Sequence, residues 1–301
     1  MNNMNTKQMP RIMIFGANGQ VGYALLSCLH TFANVIPITR FELDISNLLE
    51  LSNFFHNLFQ KPDIIINASA YTAVDKAEQE QELCNIINNC AVEIMAVYCK
   101  ENNIPFIHYS TDYVFDGKNN GYNEDDVTNP INYYGYTKLL GENAIRDINP
   151  IHFIFRTSWV YDYCRSNFVS TMLILAKTRN ELNVVNDQFG SPTWSVTIAN
   201  ITSYIIKDFI LEKDTDFLVN CSGIYNLVAS GHTNWCDYAK TIFKYMHKNV
   251  EVIGIPTVEY PNPAKRPQYS ILYTQKIHKT FNVVVPTWEY ALQCCLRNIN
   301  C

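Results

Sequence analysis

The run Arg11-Ile12-Met13-Ile14-Phe15-Gly16-Ala17-Asn18-Gly19-Gln20-Val21-Gly22 decides how the chain is read. Residues 11–15 are mostly apolar and predict a short buried strand, and Tyr23 to Leu29 continues as helix. A strand, a glycine turn and a helix start form a cradle for a dinucleotide. Gly16 permits the tight turn, Gly19 lets backbone approach a pyrophosphate, and Gly22 lets the helix pack against the strand. The helix N-terminus offers amide donors and partial positive charge. An ordinary strand-to-helix turn shares this pattern, so the rest of the chain must decide.

Working outward, Val35-Ile36-Pro37-Ile38 is the second strand. An acidic residue at its end would bind a ribose 2′-hydroxyl; Thr39-Arg40 stand there instead, and a guanidinium suits a 2′-phosphate. NADPH is therefore expected over NADH, with Glu42 close enough to neutralise Arg40. Asp44-Ile45-Ser46 opens a helix to about Leu58, with Ser46 as its expected cap. Residues 63–67 form a third strand, apolar enough for the centre of a parallel sheet. The small residues that follow it leave room for a cofactor. A long helix is expected from about Lys76 to Asn102. A fourth strand, 104–109, runs into Ser110-Thr111-Asp112-Tyr113, where ligands bind in open α/β sheets. Residues 153–159 are a fifth strand.

Between these last strands lies Tyr134-Gly135-Tyr136-Thr137-Lys138, at the head of a helical pattern. Residues four apart share a helix face. A lysine beside a tyrosine favours the phenolate and makes the phenol a better proton donor or acceptor near neutral pH. Alone, the spacing also fits a plain surface helix.

The repeating β-α order implies an α/β fold with a doubly wound parallel sheet. Past residue 160 the order changes: helices at 168–178, 196–209 and 235–246, strands at 181–185 and 223–228, and a proline-rich loop at 256–267. Residues 1–10 are expected to be a flexible tail, 11–160 the dinucleotide-binding domain and 161–301 mainly a smaller C-terminal substrate-binding lobe, some of whose segments return to the first domain.

The formal charge of −5 argues against a nucleic-acid surface, which needs a basic stripe. No run of 18 apolar residues predicts a membrane span, and the polar N-terminus has no signal-peptide core. Ten cysteines without CxxC spacing read as free thiols in a reducing cytoplasm, with Cys294, Cys295 and Cys301 open to oxidation.

Eight blocks carry a resemblance that covers residue 11 to about residue 288: GANGQVG (16–22), NASAYTAVDKAE (67–78), STDYVFDG (110–117), YGYTKLLGE (134–142), RTSWVY (156–161), VVNDQFGSPT (184–193), GIYNLVASG (223–231) and YPNPAKRP (260–267). Together they resemble the dTDP-4-dehydrorhamnose reductases, within the extended short-chain dehydrogenase/reductases of Rossmann-type fold. The resemblance implies reduction of the C4 keto group of a nucleotide-linked 4-keto-6-deoxy sugar by NAD(P)H. It makes Tyr134 the proton donor and makes Lys138 the group that binds the nicotinamide ribose and lowers the tyrosine pKa. Thr111 would bind the substrate oxygen and Asp112 would tune the pH response. Tyr113 and Trp159 would line the sugar site. Gln20, Val21, Asp44, Ile45 and Ser69-Ala70-Tyr71 would touch the cofactor. Asn186, Asp187, Lys265 and Arg266 would face the substrate nucleotide.

The resemblance also implies use of Mg2+, although no tight carboxylate cluster provides for it and no metal ligand is assigned. A homodimer stays open, as does the choice of dTDP or UDP carrier. Two departures are expected to be innocent: Tyr136, facing outward, and His232, in a loop before a helix. Two other readings remain, a bifunctional 3,5-epimerase/4-reductase and a regulatory subunit resembling the methionine adenosyltransferase β-subunit. Bifunctional relatives commonly place a cysteine in the turn after the fourth strand, and Ser110-Thr111-Asp112-Tyr113 has none. Intact Thr111, Tyr134 and Lys138 favour catalysis over regulation.

Overall fold

The computed structural model describes residues 9–299. Most of the expected tail, and Cys301, lie outside them. Six parallel strands form the central sheet: β1 (Arg11–Phe15), β2 (Asn34–Ile38), β3 (Ile64–Asn67), β4 (Phe106–Thr111), β5 (His152–Thr157) and β7 (Gly223–Asn226). Their order is β2-β1-β3-β4-β5-β7, so the connection direction reverses between β1 and β3. In open α/β sheets that reversal marks the ligand crevice. Two further strands, β6 (Glu181–Val185) and β8 (Glu251–Ile255), pair in parallel away from the sheet.

Both faces of the sheet are covered, as parallel sheets require. Ile12 and Ile14 turn to a core shared with helix α1 (Gln20–Leu29) and helix α5 (Ser195–Ile205). Met13 and Phe15 turn to the opposite core, shared with α2 (Leu48–His56) and α3 (Ala91–Asn102). The strict alternation follows from the two-residue period of a strand. Thus α5 and β7, from the later part of the chain, complete the sheet layer. A third core joins Tyr161, Tyr238, Trp288 and Leu292 around helix α6 (Trp235–Tyr245).

Three expectations shift. Strand β4 continues through Ser110 and Thr111, because both still pair with β5. The cap of α2 is Asn47, whose side chain accepts from Glu50 N; the Ser46 hydroxyl is already donated to Asp44. The long helix from Lys76 is four pieces: Val74–Ala77, Gln81–Asn85, a π-helical turn Ile86–Cys90, and α3.

Helix α4 (Tyr133–Ile148) carries the Tyr134–Lys138 pair and is locked to the sheet one turn further on. Glu142 meets Arg156 of β5 in a bidentate pair, at 2.9 and 2.7 Å, with both side chains buried. Ser110 donates to the same carboxylate at 2.5 Å, and Arg156 also donates to the Glu124 carbonyl. Removing one partner of a buried pair strands the other charge. Glu142→Gln is expected to lower the unfolding free energy by about 3–5 kcal/mol in urea denaturation; a loss below about 1 kcal/mol would show that the pair does not anchor α4.

Candidate active site

At the reversal between β1 and β3 the backbone comes very close to itself. Gly16 sits at φ +73°, and a Cβ there would lie 2.6 Å from Ser69 N. A Cβ on Gly22 would overlap the Gly16 carbonyl oxygen. Helix α1 begins at Gln20 with no side-chain cap, so its first amides have no partner from the helix itself. They open into a cleft of about 460 Å³ that is bounded by Gly16, Gly19, Gln20 and Val21 on one wall. Arg40, Asp44, Ile45, Ser69, Ala70, Tyr134 and Lys138 line the same cleft. The size and the glycine-lined cradle fit a dinucleotide. Tyr71 stands one step back: its backbone N donates to Asn88 Oδ1 and its hydroxyl to Glu80. The π-turn places Asn88 there to hold the Ser69–Tyr71 turn.

Arg40 is exposed and pairs with Asp44 at 3.0 Å. Glu42, expected to neutralise it, instead accepts from the Thr39 amide at 2.8 Å and from the Thr39 hydroxyl.

Helix α4 starts at the Asn132 cap, which accepts from Gly135 N at 2.8 Å and donates to the Lys265 carbonyl at 2.8 Å. Gly135 packs directly on the Tyr113 carbonyl oxygen, where a Cβ would not fit. This contact brings Tyr134 edge-on to Tyr113, with ring centroids 6.1 Å apart, and beside the Thr111 hydroxyl. Burial pushes the Tyr134 phenol up, and contact with Thr111 opposes that shift. Lys138 is buried, and desolvation lowers its pKa to about 8. Its Nζ donates to the Tyr109 carbonyl at 2.6 Å and lies 3.0 Å from His108 Nε2. The Lys138 amine is turned to β4, and burial dominates at Tyr134. A phenol held in its acid form suits proton donation.

Asp112 is buried; Thr111 donates to its Oδ1 at 3.0 Å, while Oδ2 has no well-aligned partner. Desolvation raises it to about 6, with nearby Ser270, Thr111 and Ser158 hydroxyls in partial opposition.

The residues expected around the substrate are less uniform. Trp159 leaves β5 at φ +46°, a left-handed conformation costly for a side chain, and stacks on Trp235 with centroids 3.5 Å apart. Arg266 is bound bidentately to Asp75, at 3.0 and 2.6 Å, and holds that carboxyl below the usual range. Asp187 accepts from the backbone N and hydroxyl of Thr257, so in this state it caps a turn. Asn186 is exposed and packs against Gly254, and Lys265 is exposed. Tyr136 faces outward, as expected, and His232 is exposed. Within the chain, no group of three or more His, Cys, Asp or Glu side chains among the described residues could hold a metal ion.

Arg165 escaped the sequence reading. It lines the cleft, donates to the Asn18 carbonyl at 2.8 Å and lies over the Tyr23 ring. An arginine in an irregular loop carries no spacing signal.

A Rossmann-type sheet, a glycine cradle at its reversal point and a Tyr–Lys pair on the helix after β4 define the class of extended short-chain dehydrogenase/reductases. Residues 10–301 match the family model described as the RmlD substrate binding domain, and the chain belongs to that family, the dTDP-4-dehydrorhamnose reductases. It is 41% identical over 293 residues to the dTDP-4-dehydrorhamnose reductase of Salmonella typhimurium, covering 94% of this chain and 95% of that protein. A dTDP-4-dehydrorhamnose reductase structure from Clostridium acetobutylicum superposes with a TM-score of 0.89 at 36% identity, over 97% of this chain and 100% of that one. The Bacillus anthracis enzyme, solved in complex with NADP, gives 0.87 at 34% identity, over 96% and 99%.

Asp112 generates a stability prediction. Folded, it titrates near 6; unfolded, it titrates near ~3.9. Between these values the folded state keeps a proton that the unfolded state has lost, so stability falls as pH rises from about 4 to about 6 and stays lower above. Asp112→Asn is expected to remove roughly 2–3 kcal/mol of that fall. Matched denaturation curves at pH 4 and pH 7 check it, and an unchanged pH dependence would contradict it.

Proposed function

We propose that the protein is an NADPH-dependent reductase of the C4 keto group of a nucleotide-linked 4-keto-6-deoxy sugar, of the dTDP-4-dehydro-L-rhamnose type. One observation carries the reading: the Tyr134 phenol, which burial pushes toward its acid form, stands beside the Thr111 hydroxyl at the end of β4, at the edge of the glycine-lined cleft that also holds Lys138. The names of the full-length relatives support it.

The cofactor, when bound, supplies the hydride. The α1 amides at Gln20 and Val21 hold its pyrophosphate, Arg40 its 2′-phosphate and Lys138 its ribose. Thr111 orients the substrate oxygen by a hydrogen bond, and Tyr134 gives that oxygen its proton as negative charge develops. Tyr113 and Trp159 bound the sugar, and Arg266 exchanges Asp75 for the substrate diphosphate. The enzyme works in the cytoplasm, where NADPH and nucleotide sugars are available. Among the described residues no helix is long and apolar enough to cross a membrane.

Assay of NADPH oxidation with dTDP- and UDP-linked 4-keto-6-deoxy-mannose tests the reaction and identifies the carrier; turnover of neither would overturn it. Tyr134→Phe is expected to lower kcat by roughly 10²–10⁴ while NADPH still binds, and near-normal turnover would remove Tyr134 from the role. Arg40→Ala is expected to weaken NADPH by about tenfold more than NADH, since a charged hydrogen bond contributes about 1.5–3 kcal/mol. Equal losses in titrations of the two cofactors would show that Arg40 does not read the phosphate.

A further inference from the structure

His108 sits in the middle of β4, fully buried, and is met by a donor at each ring nitrogen. Asn67 Nδ2 lies 3.2 Å from Nδ1, and Lys138 Nζ lies 3.0 Å from Nε2. The Asn67 amide cannot be turned over, because its Oδ1 already accepts from both the amide and the hydroxyl of Ser69. Its NH₂ group must therefore face the imidazole, and Nδ1 must be the bare, accepting nitrogen. In a neutral ring the proton then sits on Nε2 and points at Lys138. Burial and the nearby lysine both hold His108 in its neutral form.

For Lys138 this has a direct cost. As an amine it donates to the Tyr109 carbonyl and accepts the His108 N–H, so the imidazole has a partner at both nitrogens. As an ammonium it has no lone pair, and the same N–H confronts a positive charge. We propose that Asn67 and His108 are positioning residues that orient this N–H against Lys138 and so make its ammonium a ready proton donor. The idea rests on the reductase reading. When the substrate oxygen takes hydride at carbon and a proton from Tyr134, the phenolate is left one proton short. Lys138, four residues on along the same face of α4 and lining the same cleft, refills it; the resulting amine accepts the His108 N–H, and water in the cleft returns the proton to Lys138.

The other groups around Lys138 are accounted for. Glu142, one turn along α4, favours the ammonium but is bound to Arg156; Cys84, from the helix packed against α4, also favours the charge. Burial of the amine outweighs both. The imidazole adds direction to that burial.

The test begins with ligand-free protein carrying ¹⁵N-histidine. The expected spectrum shows His108 protonated on Nε2 and bare on Nδ1; a proton on Nδ1 would overturn the proposal whatever the enzyme reduces. Asn67→Asp, nearly the same shape, should accept from Nδ1 and move the proton there, leaving Nε2 free to accept from the ammonium. His108→Leu removes the N–H without adding charge. In both variants the fall of kcat at alkaline pH should move upward by about one pH unit or more. An alkaline limb that stays at the wild-type position in both would overturn the proposal, whereas absence of turnover in the wild type would count against the reductase reading instead.

Discussion

The Glu142–Arg156 pair is the contact on which the rest of the site depends. Tyr134, Lys138 and Glu142 follow at intervals of four along α4, so they form one stripe facing the sheet. The carboxylate is held by Arg156 of β5 and Ser110 of β4, and that fixes how deeply the helix sits. Lys138 Nζ then reaches the Tyr109 carbonyl, and Tyr134 lies beside Thr111. Burying two charges is costly, and the cost is offset here by bidentate geometry and by the further bonds each partner makes. Arg156 also grips the Glu124 carbonyl, while the Glu124 carboxylate accepts from Asn226 N on β7. One ion pair thus ties the reactive helix to three strands.

Much of this was legible in the chain. The glycine turn at 16–22 and the apolar run at 64–66 mark a parallel sheet because each has a local cause: backbone freedom in the first, burial on two faces in the second. The later part was harder. Residues 223–228 were read as strand, and Gly223–Asn226 forms one, but its pairing with β5 depends on residues about seventy positions away. Strand β8, with largely exposed residues, and helices Gln275–Phe281 and Trp288–Ile299 went unread. They lie on either side of a proline-rich loop that breaks periodicity.

At the site, spacing singled out Tyr134 and Lys138, and position at a strand's end singled out Thr111. Charged side chains were less readable, because the partner decides what a charge does. Arg266 looked like a free cation until Asp75, from the short helix Val74–Ala77, took both its amino groups. Asp187 looked like a ligand until Thr257 occupied its carboxylate. Asn67 and His108 were invisible for the opposite reason: a polar residue within an apolar strand reads as core, and its neighbours belong to other strands.

The account makes the protein a reductase of a sugar already epimerised at C3 and C5. No thiol stands in the Ser110–Tyr113 turn, and Cys84, packed against α4, hydrogen-bonds Thr137 rather than a group at the reacting end. The most direct measurement incubates the protein in D₂O with dTDP-4-keto-6-deoxy-glucose, adds NADPH, and follows both deuterium at C3 and C5 and cofactor oxidation. The account predicts no deuterium at either carbon and no rhamnose until the epimerised sugar is supplied; label at C3 or C5, or rhamnose formed by the protein alone, would contradict it.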